Sequence, residues 1–276
     1  MGTVFISENA CAPLMKRLEQ EGHRIYKVKA TDTVYPAIAA HPDIYLCRAG
    51  NFLSVDETIS TEPSLREEYE QVMEERLGNA SEAPMVPAMP LGSGADGSSV
   101  NIVFEMGNIG YKYPYDVAYN AVSTSHYFIH NLEYTAPPLL DRARAAGLHF
   151  INVRQGYTKC SCLVVGDNGI ITADRGIAAA IEAWNEDPEE PAEGESPIPP
   201  LQVLLIEEGN VILEDFNHGF IGGASGMIGT EIWFNGRLED HPDADKIRRF
   251  IADRGYAVVD FPEEPLTDIG SIIWIP

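Results

Sequence analysis

The 276-residue chain holds four cysteines, Cys11, Cys47, Cys160 and Cys162, and one of them has the setting of a nucleophile. Cys160 follows Gly156-Tyr157-Thr158-Lys159 and opens a strand-like run, Lys159 to Val165. The thiolate is the reactive form of cysteine, and a nearby cation raises its fraction by lowering the pKa. Lys159 is adjacent in sequence, but neighbours on a strand face opposite sides. The competing reading makes Cys160 and Cys162 small buried hydrophobes on one face. His41-Pro42-Asp43 is the second candidate. One turn there delivers an imidazole, able to act as acid or base, together with an anion. Its local reading is structural: Asp43 caps the turn, Pro42 stiffens it and His41 packs. The tripeptide recurs as His241-Pro242-Asp243 just before a helical pattern, where the capping role prevails.

Other chemistries are poorly supplied. Cys160-x-Cys162 has no second cysteine pair at zinc spacing, so no metal site is expected. Four cysteines are too few for a disulfide scaffold, and Cys11 and Cys47 read as packing residues. Gly219 to Gly226 lacks the Lys-Ser/Thr of a phosphate loop, so its small residues serve close packing or the approach of a ligand. Gly110 to Asp116 is aromatic-rich and fits either a pocket wall or a packed connection. The chain carries 42 acidic against 19 basic residues, a net charge of −23. That argues against nucleic acid and anionic membranes as partners, since both demand clustered Lys and Arg. No apolar run approaches the ~20 residues of a membrane span, and no signal-peptide pattern opens the chain. Ile6 stands where a myristoylation pattern wants Ser or Thr. The expectation is a cytoplasmic, acidic, globular protein without cofactors, whose tract at 186–195 is a solvated loop.

Hydrophobic patterning supplies the elements that must position the candidates. Residues 2–6 read as a strand, Pro13 to Glu21 as a helix stopped by Gly22, and His23 to Lys29 as a strand. Ile44 to Cys47 and Asn51 to Val55 read as strands. Ser64 to Leu77 is helix-capable, and 79–99 reads as a loop or mobile flap. Tyr119 to His130 is strand-like. Pro137 to Ala146 is a helix ended by Gly147, followed by a strand at 148–153. Lys159 to Val165 and Ile170 to Ala173 form a hairpin around Gly166-Asp167-Asn168-Gly169. Helices at 175–184 and 243–254 alternate with strands at 202–206, 220–228, 230–234, 256–261 and 271–275. One supersecondary unit thus recurs, which suggests radial or stacked repetition. A doubly wound sheet is the competing arrangement, but the hairpins and the lack of a Gly-rich turn after the first strand oppose it.

The ββαβ-type repeat resembles the pentein fold, the five-bladed α/β propeller of guanidino-group-modifying enzymes. The segments HPDIYLC (41–47), GYKYPYDVAYN (110–120), QGYTKCSCLVV (155–165), ITADRGI (171–177), GFIGGASG (219–226) and DIGSII (268–273) are similar to a family assigned to that fold with no activity attached. More distantly, the chain resembles the arginine and agmatine deiminases and the dimethylarginine hydrolases. The resemblance implies a single pentein-like domain over 1–276, with insertions at about 79–99 and 186–200.

It also implies a central pocket lined by residues at the start of each blade's inner strand. These are His41 and Asp43, Asn120, Lys159 and Cys160, Gly222 to Ser225, and Asp268. Characterised penteins use a Cys nucleophile, a His-x-Asp element and carboxylates that hold the guanidinium. Their cysteine opens the last blade, where this chain reads Pro265 to Ser271 without one. A nearly symmetric ring lets Cys160 on the third blade meet His41 on the first. The resulting expectation is a thiol-dependent hydrolase or amidinotransferase acting on a small cationic guanidino compound. Cys160 would attack and His41 would serve as acid/base. Asp43, Asp268, Asn120 and Lys159 would bind substrate. The alternative is a non-catalytic propeller that binds a small molecule or a protein, as the ribosome-associated anti-association factor does.

Overall fold

The computed structural model describes residues 1–79, 88–93, 99–188 and 198–276. In chain order the elements begin with β1 (Thr3–Ser7), α1 (Ala12–Gln20), β2 (Arg24–Val28), α2 (Pro42–Tyr45), β3 (Leu46–Ala49) and β4 (Phe52–Asp56). Next come β5 (Thr61–Glu62), α3 (Leu65–Asn79), β6 (Met89–Ser93), β7 (Ser99–Glu105), β8 (Val122–Ser123) and β9 (Tyr127–His130). Then follow α4 (Pro137–Ala145), β10 (His149–Asn152), α5 (Thr158–Ser161), β11 (Cys162–Val165), β12 (Gly169–Thr172) and α6 (Arg175–Glu186). The last are β13 (Gln202–Leu205), β14 (Ser225–Ile228), β15 (Glu231–Phe234), α7 (Ala244–Ala252), β16 (Ala257–Val259) and β17 (Ile273–Ile275).

Among the described residues the strands form five small sheets, and each is built the same way. A central strand pairs antiparallel with one neighbour and parallel with the other. The trios are β3-β4-β7, β8-β9-β10, β11-β12-β13, β14-β15-β16 and β17-β1-β2. The parallel neighbour is reached through a helix, because a parallel pair needs a crossover that a tight turn cannot supply. In the last trio the C-terminal strand pairs with the N-terminal one, Thr3 opposite Ile275, so the chain's two ends share a sheet. The central strands β1, β9 and β12 are buried along their whole length. Continuous apolar runs, rather than alternation, are what a strand covered on both faces requires.

The covering helices share one device. Each buries a pair of apolar residues one turn apart: Leu14 and Leu18, Leu139 and Ala143, Ile177 and Ile181, Ile247 and Ile251. Residues four apart lie on one helix face, and each fully buried Leu or Ile contributes roughly 1.5–3 kcal/mol. Gly22, Gly147 and Gly255 end three of these helices with positive φ, the conformation that favours glycine after a helix.

Several boundaries differ from the sequence reading, and two of the differences matter. Residues 42–45 and 158–161 are one-turn helices, so the strands expected from Ile44 and Lys159 begin later, at Leu46 and Cys162. Each turn runs directly into an apolar strand, and four residues are too few for periodicity to separate the two. Met89–Ser93 is a strand paired with Ser99–Glu105, where a loop was expected. The rest of the expected flap, 80–87 and 94–98, and the core of the acidic tract, 189–197, lie outside the described residues. The Gly-rich strand expected from Phe220 starts only at Ser225, and Phe220 to Ala224 form a turn.

The segments that enter the first strand of each trio are bonded to one another. Asn120 Nδ2 donates to the Asp43 carbonyl (3.2 Å), and the Cys160 amide donates to Asn120 Oδ1 (3.1 Å). The Gly223 amide donates to the Cys160 carbonyl (2.9 Å), and the Ser271 amide to the Gly223 carbonyl (2.8 Å). The Asp43 amide donates to the Gly270 carbonyl (3.2 Å) and returns to the start. This cycle visits all five sheets and satisfies backbone groups that would otherwise be buried without partners.

Candidate functional site

Asp43, Asn120, Cys160 and Ser271 all belong to that cycle, so the ring that ties the sheets together also gathers the polar side chains. The short turns explain the gathering. In α2 and α5 the chain winds through about 100° per residue, so Lys159 and Cys160 diverge without the alternation of a strand. The Cys160 thiol donates to Asp43 Oδ2 at 3.1 Å and accepts from Asn120 Nδ2 at 3.1 Å. The Lys159 ammonium runs elsewhere and donates to Ser271 Oγ at 3.0 Å. The Ser271 hydroxyl lies 2.7 Å from Asp43 Oδ2 and 2.9 Å from the Gly222 carbonyl oxygen, and donates to one at a time. Ser271 holds a φ of 73°, a left-handed conformation costly for a residue with a side chain.

His41 stands at the N-cap position of α2, makes no side-chain cap, and is buried. Its Nδ1 lies 3.9 Å from Asp268 Oδ1, too far for a hydrogen bond, and has no partner among the described residues. Asp43 Oδ1 is likewise buried and unpartnered. Asp268 is better served. Its Oδ2 accepts from the Phe220 amide and its Oδ1 from the Gly270 amide, both at 2.9 Å. Gly223 and Gly270 make room here. A Cβ on Gly223 would overlap the Asp268 carboxylate, and one on Gly270, whose φ is 72°, would overlap His41. These glycines are packing glycines.

Burial shifts each group of the cluster toward its uncharged form. Burial pulls the His41 pKa down to about 4, so the imidazole is neutral near pH 7. Burial pushes the Asp268 carboxyl up to about 6, and burial also raises Asp43 against the opposing pull of His41 and Lys159. The Cys160 thiol is pushed well above its ordinary value, first by burial and then by the carboxylates of Asp43 and Asp268. The cation next to Cys160 in sequence is not the group that governs its ionisation.

His41, Cys160 and Asp268 face one cavity of about 260 Å³. Tyr35, Tyr157, Phe216 and Phe220 wall it. Tyr35 and Tyr157 are hydrogen-bonded through their hydroxyls at 2.8 Å, and Tyr157 donates onward to Asp116 Oδ2 at 2.7 Å. Asp43 and Asn120 do not line the cavity; they stand behind the thiol, fully buried. Lys159 lines a different cavity beside Cys47 and Arg48. One donor atom each from His41, Asp43 and Cys160 lies within 4.8 Å of the others, a set able to hold a metal ion. Sequence reasoning looked only for cysteine-pair spacing and so passed over this mixed set. It also missed Ser271 and the aromatic walls. No motif marks Ser271, because its part depends on a φ that the sequence does not reveal.

The model of a family of unknown function (DUF6873) matches residues 95–273, well over half of the chain. The protein belongs to this family. The match takes in Asn120, Cys160, Asp268 and Ser271, while His41 and Asp43 precede it. No curated protein matches the chain. Among solved structures, the chain is similar to SxtG, an amidinotransferase from Microseira wollei in the saxitoxin biosynthetic pathway. The identity is 11%, the TM-score 0.45, and the likeness covers 95% of this chain and 88% of that one. So distant a likeness carries no argument about this chain's chemistry. Among the described residues no helix is long and apolar enough to cross a membrane.

Proposed function

We propose that the five sheets are the blades of a pentein-type α/β propeller, and that its central cavity is the site of thiol-dependent chemistry on a guanidino compound. The observation that carries this reading is the meeting of Cys160 and His41 on one cavity with His41 Nδ1 left unpartnered. Unsatisfied buried polar atoms cost free energy and are retained where a ligand completes them.

In this reading a guanidinium enters between the aromatic walls and pairs with Asp268. Its charge offsets the carboxylates that keep Cys160 protonated, so substrate binding itself favours the thiolate. His41, neutral beforehand, takes the thiol proton. The sulfur attacks the guanidinium carbon and a C–S bond forms. The C–N bond to the leaving nitrogen breaks, and that nitrogen departs with the proton from His41. Water then attacks the same carbon, His41 accepts its proton, and the C–S bond breaks to restore the thiol and release a ureido product. An amine in place of water would make the reaction an amidino transfer. Asp43 and Asn120 position the sulfur through the two hydrogen bonds it makes. Lys159 acts only at a distance, through Ser271 and the field at Asp43.

One observation favours a second reading, a non-catalytic site for a cation: the thiol is held neutral, which is an inert form of cysteine. A single assay separates the two. Purified protein is incubated with arginine, agmatine and methylated arginines, and the ureido product or released amine is quantified. Turnover that disappears in Cys160→Ala supports the enzyme. Binding without turnover supports the second reading.

A further inference from the structure

His41 and Asp268 border a second cavity besides the aromatic one. This chamber measures about 420 Å³ and is lined also by Ser7, Asn9, Thr267, Glu214 and Asp215. The two chambers share His41, Asp268 and Leu213. Leu213 therefore forms the partition between them.

The partition belongs to a pinned loop. The Gly219 amide donates to the Val211 carbonyl (2.8 Å) and closes the loop at its base. Ile212 is held on both sides, donating to the Leu266 carbonyl (2.9 Å) and accepting from the Asp268 amide (2.8 Å). At the tip the Phe216 amide reaches the Leu213 carbonyl (3.2 Å), with Asp215 at a φ of 65°. That turn sends Phe216 to the aromatic chamber and Glu214 and Asp215 to the other.

The charges of the two chambers are one-sided. Neither lining contains a lysine or an arginine among the described residues. The second chamber carries three carboxylates, counting Asp268, and the molecule as a whole has a net charge of −23. The unpartnered His41 Nδ1, buried where the two linings meet, is an independent polar atom left for a ligand to satisfy. A free carboxylate there would face three carboxyl groups and no lysine or arginine, and a second cation would meet acceptors.

We infer that the site takes a guanidine bearing a second positive charge and no carboxylate, a guanidino-amine rather than a guanidino acid. The inference rests on the proposed function only for which end of the ligand reacts. The guanidinium occupies the aromatic chamber over Cys160, and the ligand's ammonium passes Leu213 into the chamber of Glu214 and Asp215.

The test compares agmatine, which has both cations, with butylguanidine, which lacks the second, and with arginine, which adds a carboxylate. Steady-state kcat/KM is measured on the wild-type protein and calorimetric Kd on Cys160→Ala. Agmatine is expected to exceed arginine by at least about tenfold in either readout, equivalent to about 1.4 kcal/mol. Its lead over butylguanidine should shrink as salt rises and in the double variant Glu214→Gln/Asp215→Asn. Arginine equal to or better than agmatine overturns the inference and leaves the thiol chemistry standing. Preferential binding of agmatine without any turnover supports the inference and removes the thiol chemistry. No binding of any of the three overturns the inference.

Discussion

The protein contains the tripeptide His-Pro-Asp twice, and the two copies differ in how well their polar atoms are satisfied. At 241–243 the arrangement is closed. His241 Nδ1 accepts from the Asp243 amide (3.0 Å), and its Nε2 lies 3.1 Å from the Glu207 carbonyl. Asp243 accepts from the Glu207 amide (2.8 Å) and pairs with Lys246, which holds its carboxyl below the usual range. It makes no side-chain cap on its own helix, so the expected capping role is replaced by a tether to the Glu207 loop. At 41–43 the same residues are buried with His41 Nδ1 and Asp43 Oδ1 unpartnered, and the carboxyl is raised instead of lowered. Identical residues are structural where every atom has a partner and available where some do not.

The largest effect that could break this contrast is catalytic. His41→Gln should lower guanidine turnover by about 10²-fold or more, the range of a lost acid/base, while His241→Gln should keep it within a few-fold. Equal losses in steady-state assays would erase the distinction between the copies.

A second expectation concerns the thiol. Burial raises the Cys160 pKa most, and the charge of Asp43 raises it further. Asp43→Asn should therefore speed alkylation of Cys160 by iodoacetamide near pH 8 by about tenfold for each unit of pKa released, read by peptide mass spectrometry. Asp243→Asn should leave that rate unchanged. A slower rate in Asp43→Asn would contradict the electrostatic picture.

The third is a stability profile. His41 is depressed to about 4 in the fold against about 6.5 in an unfolded chain. Between those values the unfolded state binds more protons, so this group's contribution is present above pH 6.5 and is lost as pH falls toward 4. Asp268 has the opposite sign. Its raised value, about 6, contributes stability at low pH that is lost as pH rises through 6. Urea unfolding from pH 7 to 5 should therefore cost His41→Gln less stability than wild type, by on the order of 1–2 kcal/mol. A steeper loss in the variant would reverse the assignment. The smallest effect belongs to the satisfied copy. Asp243→Asn removes a pair with an exposed lysine and should destabilise by less than about 1 kcal/mol.

Much of the fold was legible because its signals are local and redundant. Leu14 and Leu18 before Gly22, or Pro137 to Ala146 before Gly147, mark helices by spacing and punctuation. Gly166 to Gly169 marks a hairpin by its turn residues. The one-turn helices at 42–45 and 158–161 were not legible, since four residues carry no periodicity. The candidate site divides in the same way. Cys160, His41, Asp43, Asn120 and Asp268 were singled out in the sequence, and the fold brings them into one neighbourhood. Which of them face the cavity was hidden, because that depends on the direction of each turn. Asn120 and Asp43 differ from Cys160 only in standing behind the sulfur. Ser271 and the Leu213 partition arise from a positive φ and a pinned loop, and neither has a sequence signature.

The central claim is that Cys160 forms a covalent bond to a guanidino carbon. It is tested most directly by mixing the protein with agmatine, quenching in acid during turnover, and measuring the mass of the peptide that contains Cys160. The expected result is a mass increase confined to Cys160, absent from Cys160→Ala and diminished in His41→Gln. An unmodified Cys160 peptide, together with agmatine turnover that persists in Cys160→Ala, would contradict it.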